Sequence, residues 1–268
     1  MTKFKKIFPY IVLTSASLLS VFPLYYMISG ATNKSIDIVR GKLFFGTYLF
    51  ENFKTLINNQ NLALALSNSF RNAIILTVLT LVICSIAGYG FEIYHSKRKD
   101  FLMKILLLAM MFPFIAIVTP LFKLFSNLKM INSMWAFMLP TISTPFIIMM
   151  FRQASRSFPK EIIDAARIDG LSDFKIFYKI FVPTMKSTYG AATTVIFMNA
   201  WNSYLWPKII FQDNSSITIP MLVANLKSGY SVDYGMLMLG VLIATIPTAI
   251  VFFALQKHFA DGITGSVK

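Results

Sequence analysis

Carboxylates and bases are scarce in this chain, and many of them gather in Pro159–Pro183, reading PKEIIDAARIDGLSDFKIFYKIFVP. Their pattern suits recognition rather than bond-making. Glu161 belongs in the first turn of a helix, where the dipole favours an acid, and Glu161–Ile168 supplies about two turns. Asp164 adds an exposed negative charge, and the small side chains of Ala165 and Ala166 let another protein approach closely. Asp169-Gly170 follows at fixed distance, Gly170 being free to take the left-handed conformation that ends a helix. Ser172 or Asp173 then fits as the cap of a second helix, whose apolar stripe is Phe174, Phe177, Tyr178 and Phe181, and Pro183 closes the segment. The product is a short helix–turn–helix. These residues fit two roles equally, a pair of interfacial helices that joins two spans or a docking element for a soluble partner.

Chemistry of other kinds is missing from the sequence. No GxxxxGK[ST] phosphate loop occurs, nor GxSxG, HExxH or CxxC, so neither a catalytic nor a nucleotide-binding role is expected. The one cysteine, Cys84, lies in an apolar run, and His95 and His258 are far apart without ligand-like spacing, so no metal site is expected.

The elements that must position the island are apolar. Of 268 residues 56% are hydrophobic and 13% charged, with a mean hydropathy of +0.65. That is about half the usual charged fraction of a soluble domain. The expected fold is all-α, a polytopic membrane protein with six transmembrane helices. The six uncharged stretches are Ile7–Ala31, Asn72–Phe91, Ile105–Phe122, Met130–Phe151, Ser187–Pro207 and Tyr234–Gln256. Lys3, Lys5 and Lys6 ahead of the first, with Ser29-Gly30-Ala31 at its end, also resemble a secretory signal and its cleavage site. The run exceeds the roughly 7–15 apolar residues of a signal, so a retained helix is expected.

The net charge of +14 does not imply nucleic acid, because the bases flank apolar stretches instead of forming one patch. With the N-terminus inside, 16 lysines and arginines fall on the inner side and nine on the outer. The positive-inside rule therefore puts both termini, and the island between helices four and five, in the cytoplasm. Residues 1–31 form the N-terminal span. Residues 32–71 form an outer segment with a short helix at Tyr48–Ile57, and residues 72–268 a five-helix core containing 159–183.

Helix five carries Asn199, Asn202 and Tyr204, amides and a phenol that are costly against lipid and belong on a bundle interior or wet cavity. The two asparagines fit path lining and helix–helix bonding equally, whereas Trp206 is expected in the interfacial belt. Prolines at 113, 120, 140, 145 and 247 predict kinks. Glu92 is the one carboxylate at the edge of an apolar stretch. The shortage of intramembrane charge disfavours a self-powered carrier, so energy is expected from a partner.

The spacing Asp164-Ala165-Ala166-Arg167-Ile168-Asp169-Gly170-Leu171, with Phe177, Ile180 and Pro183 beyond it, resembles the EAA motif of ABC importer permeases. Asp164 stands where that motif has Glu, and Leu171 where it has Ala. Phe50-Glu51-Asn52-Phe53, Asn68-Ser69, Trp201–Pro207 and the tail Gln256–Lys268, with Gly262 and Gly265, look like the carbohydrate branch, the maltose-type binding-protein-dependent family. The resemblance implies a heterodimer with a second permease, a cytoplasmic ATPase dimer holding ATP and magnesium, and an external sugar-binding protein. It also implies an ATPase-coupling role for Asp164, Ala165, Ala166, Asp169, Gly170, Phe177 and Pro183. In that mechanism the segment sits in a cleft of the ATPase and moves with it as the nucleotide dimer closes. Asn199, Asn202 and Tyr204 are the candidate substrate path. Alternatives are an importer permease for a non-sugar solute and, from other classes, a stand-alone secondary carrier or a membrane scaffold that recruits a signalling protein.

Overall fold

The computed structural model describes residues 3–228 and 232–264, and every regular element among them is helical. Gly265 and Lys268 of the tail lie outside the described residues. Three helices are long and apolar enough to cross a bilayer unaided: α1 (Lys3–Ala31), α4 (Leu62–Ile93) and α15 (Tyr234–Thr264). Between α1 and α4 lie α2 (Ser35–Val39) and α3 (Leu49–Asn59), the latter close to the expected short helix. The second span begins at Leu62, well before Asn72, because no helix breaker intervenes.

The remaining apolar stretches are broken instead of merely kinked. The third is split into α5 (Lys97–Ala109) and α6 (Phe114–Asn127), which meet at 99° just before Pro113. The fourth gives α7 (Met134–Met138) and α8 (Pro145–Arg156), parted by Leu139–Thr144 with Pro140 inside and Pro145 opening the next helix. Proline lacks the amide donor and restrains the residue before it, so a helix that meets two in succession stops. The island comes next as α9 (Lys160–Ile168), α10 (Asp173–Ile176), a π turn (Phe177–Phe181) and α11 (Val182–Thr184). The fifth stretch ends at Trp201 in α12 (Lys186–Trp201) and resumes as α13 (Leu205–Ile210). The short α14 (Ile219–Leu226) precedes α15.

Two compact units emerge, one of residues up to Ala63 with Met221–Pro247, the other Leu64–Pro220 with the chain from Thr248. The first is held by amides. Asn33 Nδ2 donates to Ser29 O at 2.9 Å and Phe44 O at 2.8 Å, and Asn52 Nδ2 to Ala31 O at 2.9 Å and Asn33 O at 3.0 Å. Asp233 caps α15 by accepting from the amides of Gly235 and Met236. A Cβ at Gly235 would lie 2.7 Å from Asn33 O and 2.8 Å from Asn52 Nδ2, so only glycine admits the asparagine bracket there.

Asn52 is buried while its neighbour Phe50 is exposed. Asn52→Ala leaves two carbonyls without their donor and is expected to lower unfolding free energy by about 1–3 kcal/mol. Thermal unfolding of the purified protein in detergent checks this, with Phe50→Ala expected to leave the midpoint near wild type.

Candidate functional site: a two-faced charged segment and a cavity at the helix breaks

Segment 159–183 has an inner and an outer face. Ile163 and Ala166 of α9 join Tyr89, Phe158, Ile176, Phe181 and Met185 in one apolar cluster. Tyr89 is its hub, with ring centroids 5.2 Å from Phe177 and 4.8 Å from Phe181, while Phe158 lies 5.6 Å from Phe181. Such aromatic pairs each add about 0.5–1.5 kcal/mol beyond area burial. The opposite face of α9 is open: Asp164, Ala165, Arg167 and Asp169 are exposed, and Ile168 is 87% exposed.

Gly170 ends α9 with φ +78° and no atom within 4 Å of where its Cβ would stand, so the left-handed backbone alone requires glycine. The turn is braced by charge. Arg167 Nη2 and Nε donate to Asp173 Oδ1 at 3.1 and 3.2 Å, and Arg167 Nη1 lies 3.7 Å from Asp164 Oδ1. The Tyr94 hydroxyl, then Arg167, hold the Asp173 carboxyl below the ordinary carboxylate range. Folding lowers that pKa, so the brace is complete above the ordinary range and weakens only as pH falls through the lowered value. At neutral pH it is intact.

Two expectations change here. Ala166 is 5% exposed and faces its own core, so close approach by a partner falls to Ala165 alone. The expected stripe of four aromatics is divided, with Phe177 and Phe181 facing inward but Phe174 70% exposed and Tyr178 also exposed. The π turn causes the division. Pro183 cannot donate an amide and its ring crowds the carbonyl four residues back; a wider turn before it absorbs both defects and shifts the helical phase.

The second feature is a cavity of about 700 Å³ within the larger unit. It opens where helices are interrupted: Thr141 and Thr144 come from the α7–α8 break, Ser203 and Tyr204 from the α12–α13 break, and Asn199 from the last turn of α12. Phe114, Phe137, Phe146 and Trp206 form an aromatic wall, and no charged side chain among the described residues lines it. Irregular backbone at membrane depth is tolerated where it borders a cavity.

Asn199 and Tyr204 thus come together, but Asn202, just past the end of α12 at Trp201, does not line the cavity. Trp206 is not in an interfacial belt. It is 3% exposed, its indole donates to Ala136 O at 3.1 Å, and Phe125 and Phe114 pack around it. Asn68 and Ser69 pin the link between a 3-10 turn (Asn214–Ser216) and α14 to α4: Asn68 Nδ2 donates to Ser215 O and Ile217 O, and Ser69 Oγ accepts from Ile219 N.

Sequence reasoning passed over Arg152. It is 6% exposed, its Nε donates to Glu92 Oε2 at 3.0 Å, and its Nη2 binds Asp100 Oδ1. The available signal was Glu92, an acid at the rim of an apolar stretch that needed a buried cation.

The family model described as "binding-protein-dependent transport system inner membrane component" matches residues 81–265, which include the whole of segment 159–183 and all of the cavity lining but Leu76. The chain is 46% identical over 259 residues to the lactose transport system permease protein LacG of Rhizobium radiobacter, covering 97% of this chain and 95% of that protein. It is 34% identical to the arabinooligosaccharides transport system permease protein AraQ of Bacillus subtilis (strain 168), covering 94% and 92%. A chain of a bacterial ABC transporter involved in the import of the acidic polysaccharide alginate superposes with a TM-score of 0.85 at 17% identity, over 96% of this chain and 98% of that one, and shows the fold. The chain belongs to the inner-membrane permease family of binding-protein-dependent ABC import systems, in its carbohydrate branch.

Proposed function

We propose that this permease carries a neutral sugar or oligosaccharide through a pathway of which the Asn199–Tyr204 cavity is its share, and that Asp164–Pro183 docks an ATPase. The observation that carries the sugar reading is the cavity lining: hydroxyls, one amide and aromatic faces, with no charge. A pyranose presents hydroxyls at its edge and apolar C–H faces to aromatic rings, and such a wall offers both. An anionic solute would meet no cation there. The names of the lactose and arabinooligosaccharide relatives support the same class.

In this reading α1, α4, α5–α6, α7–α8, α12–α13 and α15 are six crossings, with both termini and residues 159–183 cytoplasmic. Residues 1–31 are the N-terminal span, 32–71 the outer segment, and 72–268 the permease core. A second permease completes the pathway, a binding protein delivers the sugar outside, and ATP and magnesium act on the ATPase dimer. The outer face of α9, with Asp164, Ala165 and Asp169, meets the ATPase together with Ile168 and Phe174. Ala166 and Phe177 position that face from within, Gly170 sets the turn, and Pro183 sets the phase in which α12 begins. Differential contact with two ATPase states is what moves the permease between its own two states.

Two measurements on the reconstituted importer check this. Asp164→Lys and Gly170→Val are expected to abolish ATP hydrolysis stimulated by the sugar-loaded binding protein, while Gly170→Asn, which tolerates positive φ, retains most of it. Normal stimulation in Asp164→Lys and Gly170→Val would remove the docking claim. For the pathway, Asn199→Leu is expected to lower sugar uptake roughly tenfold, the scale of a lost buried hydrogen bond, whereas Asn202→Leu leaves uptake near wild type. Equal effects would show that the cavity is not the route.

A further inference from the structure

We infer that Arg152, Glu92 and Asp100 form a rigid clamp that carries movement of segment 159–183 to the cavity-bearing helices, with Arg152 as the positioning residue; this rests on the docking reading above. Arg152 is the one buried charged side chain among the described residues, and it faces two carboxylates from two other helices. Glu92 is in the last turn of α4 and Asp100 in the first turn of α5. Glu92 Oε1 also accepts from Arg156 Nε at 3.2 Å, one turn further along α8, and Asp100 Oδ2 lies 2.9 Å from His95 Nε2. Lys99 closes the end of α4 by donating to Gly90 O at 2.9 Å and Tyr94 O at 2.7 Å.

The clamp sits where the two functional features share their supports. α8 supplies Phe146 and Ile147 to the cavity at one end and Arg152 toward the other, and only residues 157–159 part it from α9. α4 supplies Leu76 to the same cavity and Glu92 to the clamp. One turn before Glu92, a Cβ on Gly88 would lie 2.5 Å from Phe151 Cβ and 2.8 Å from Arg152 N, so the two backbones touch at that point.

Net stability does not explain ions at such a site. Desolvation offsets most of the gain from a buried ion pair, and apolar side chains of similar volume hold helices together as well. What a guanidinium with two directed contacts adds is fixed orientation, since apolar contacts let helices slide whereas paired hydrogen bonds do not. With the Gly88 contact as pivot and the clamp beside it, α8 and α4 respond to displacement of α9 as one body.

The test uses the whole importer in nanodiscs, with Asn199→Cys as a reporter in the cavity and the buried Cys84 as background. The rate of modification by a small thiol reagent is compared without nucleotide and with ATP and vanadate. The expected rate ratio is roughly tenfold with the clamp intact and under about twofold in Arg152→Gln, with the ATPase still copurifying and hydrolysing ATP. Arg152→Lys, which keeps charge but loses the fork, is expected in between, and so is Asp100→Asn, at the exposed rim of the cluster, which serves if Arg152→Gln fails to assemble. An unchanged ratio in Arg152→Gln and Asp100→Asn, with the wild-type clamp responding, overturns the clamp alone. Loss of the ATPase from every clamp variant also overturns it, assigning these residues to docking. No response with the clamp intact, despite bound and active ATPase, overturns the coupled-pathway reading beneath it.

Discussion

Tyr89 stands where a membrane-length helix gives way to charged chain, and the arrangement around it depends on that position. Its ring packs against Phe177 and Phe181 from beyond the turn of the island, and shares a cluster with Ile163 and Ala166 from before it. A helix of nine residues such as α9 is marginal alone in water. Fastened by its inner side to the end of α4, it becomes a stiff projection whose outer side is free to carry Asp164, Ile168 and Asp169. The exposed apolar residues beside those charges, Ile168 and Phe174 above all, would be a liability on a surface that met only water.

Much of this was legible in the residues. The helical period of Glu161–Ile168, the glycine stop and the proline all predicted the element, and α9 ends with Gly170 in the predicted left-handed turn. The side on which each residue would fall was less legible. Ala166 reads as a small surface residue until Tyr89 and Phe158 are known to be near, and neither adjoins it in sequence. Phe174 and Tyr178 read as core until the π turn changes the phase of the helix. Proline content predicted disturbance but not its degree, because whether a helix kinks or stops depends on neighbours that can satisfy its freed carbonyls. That is why stretches three to five broke into pairs, and why Asn202, past the end of α12, stands off the cavity.

The breaks shape the cavity. The cavity draws Thr141, Thr144, Ser203 and Tyr204 from interrupted helices, so polar groups line it with no charged side chain among the described residues. An apolar stretch read only by length hides this, and the same stretch read only by its prolines does not locate it. The alginate transporter chain shares the fold at 17% identity, so the overall architecture tolerates wide change of sequence.

The central claim is that the outer face of α9 is a handle for a soluble ATPase. Hydrogen exchange by mass spectrometry, on the importer with and without its ATPase bound, tests it most directly. Slower exchange of amides in 160–176 on ATPase binding, with the α3 amides unchanged as an internal reference, is the predicted result. Unaltered exchange across 160–176, with protection elsewhere in the chain, would contradict it.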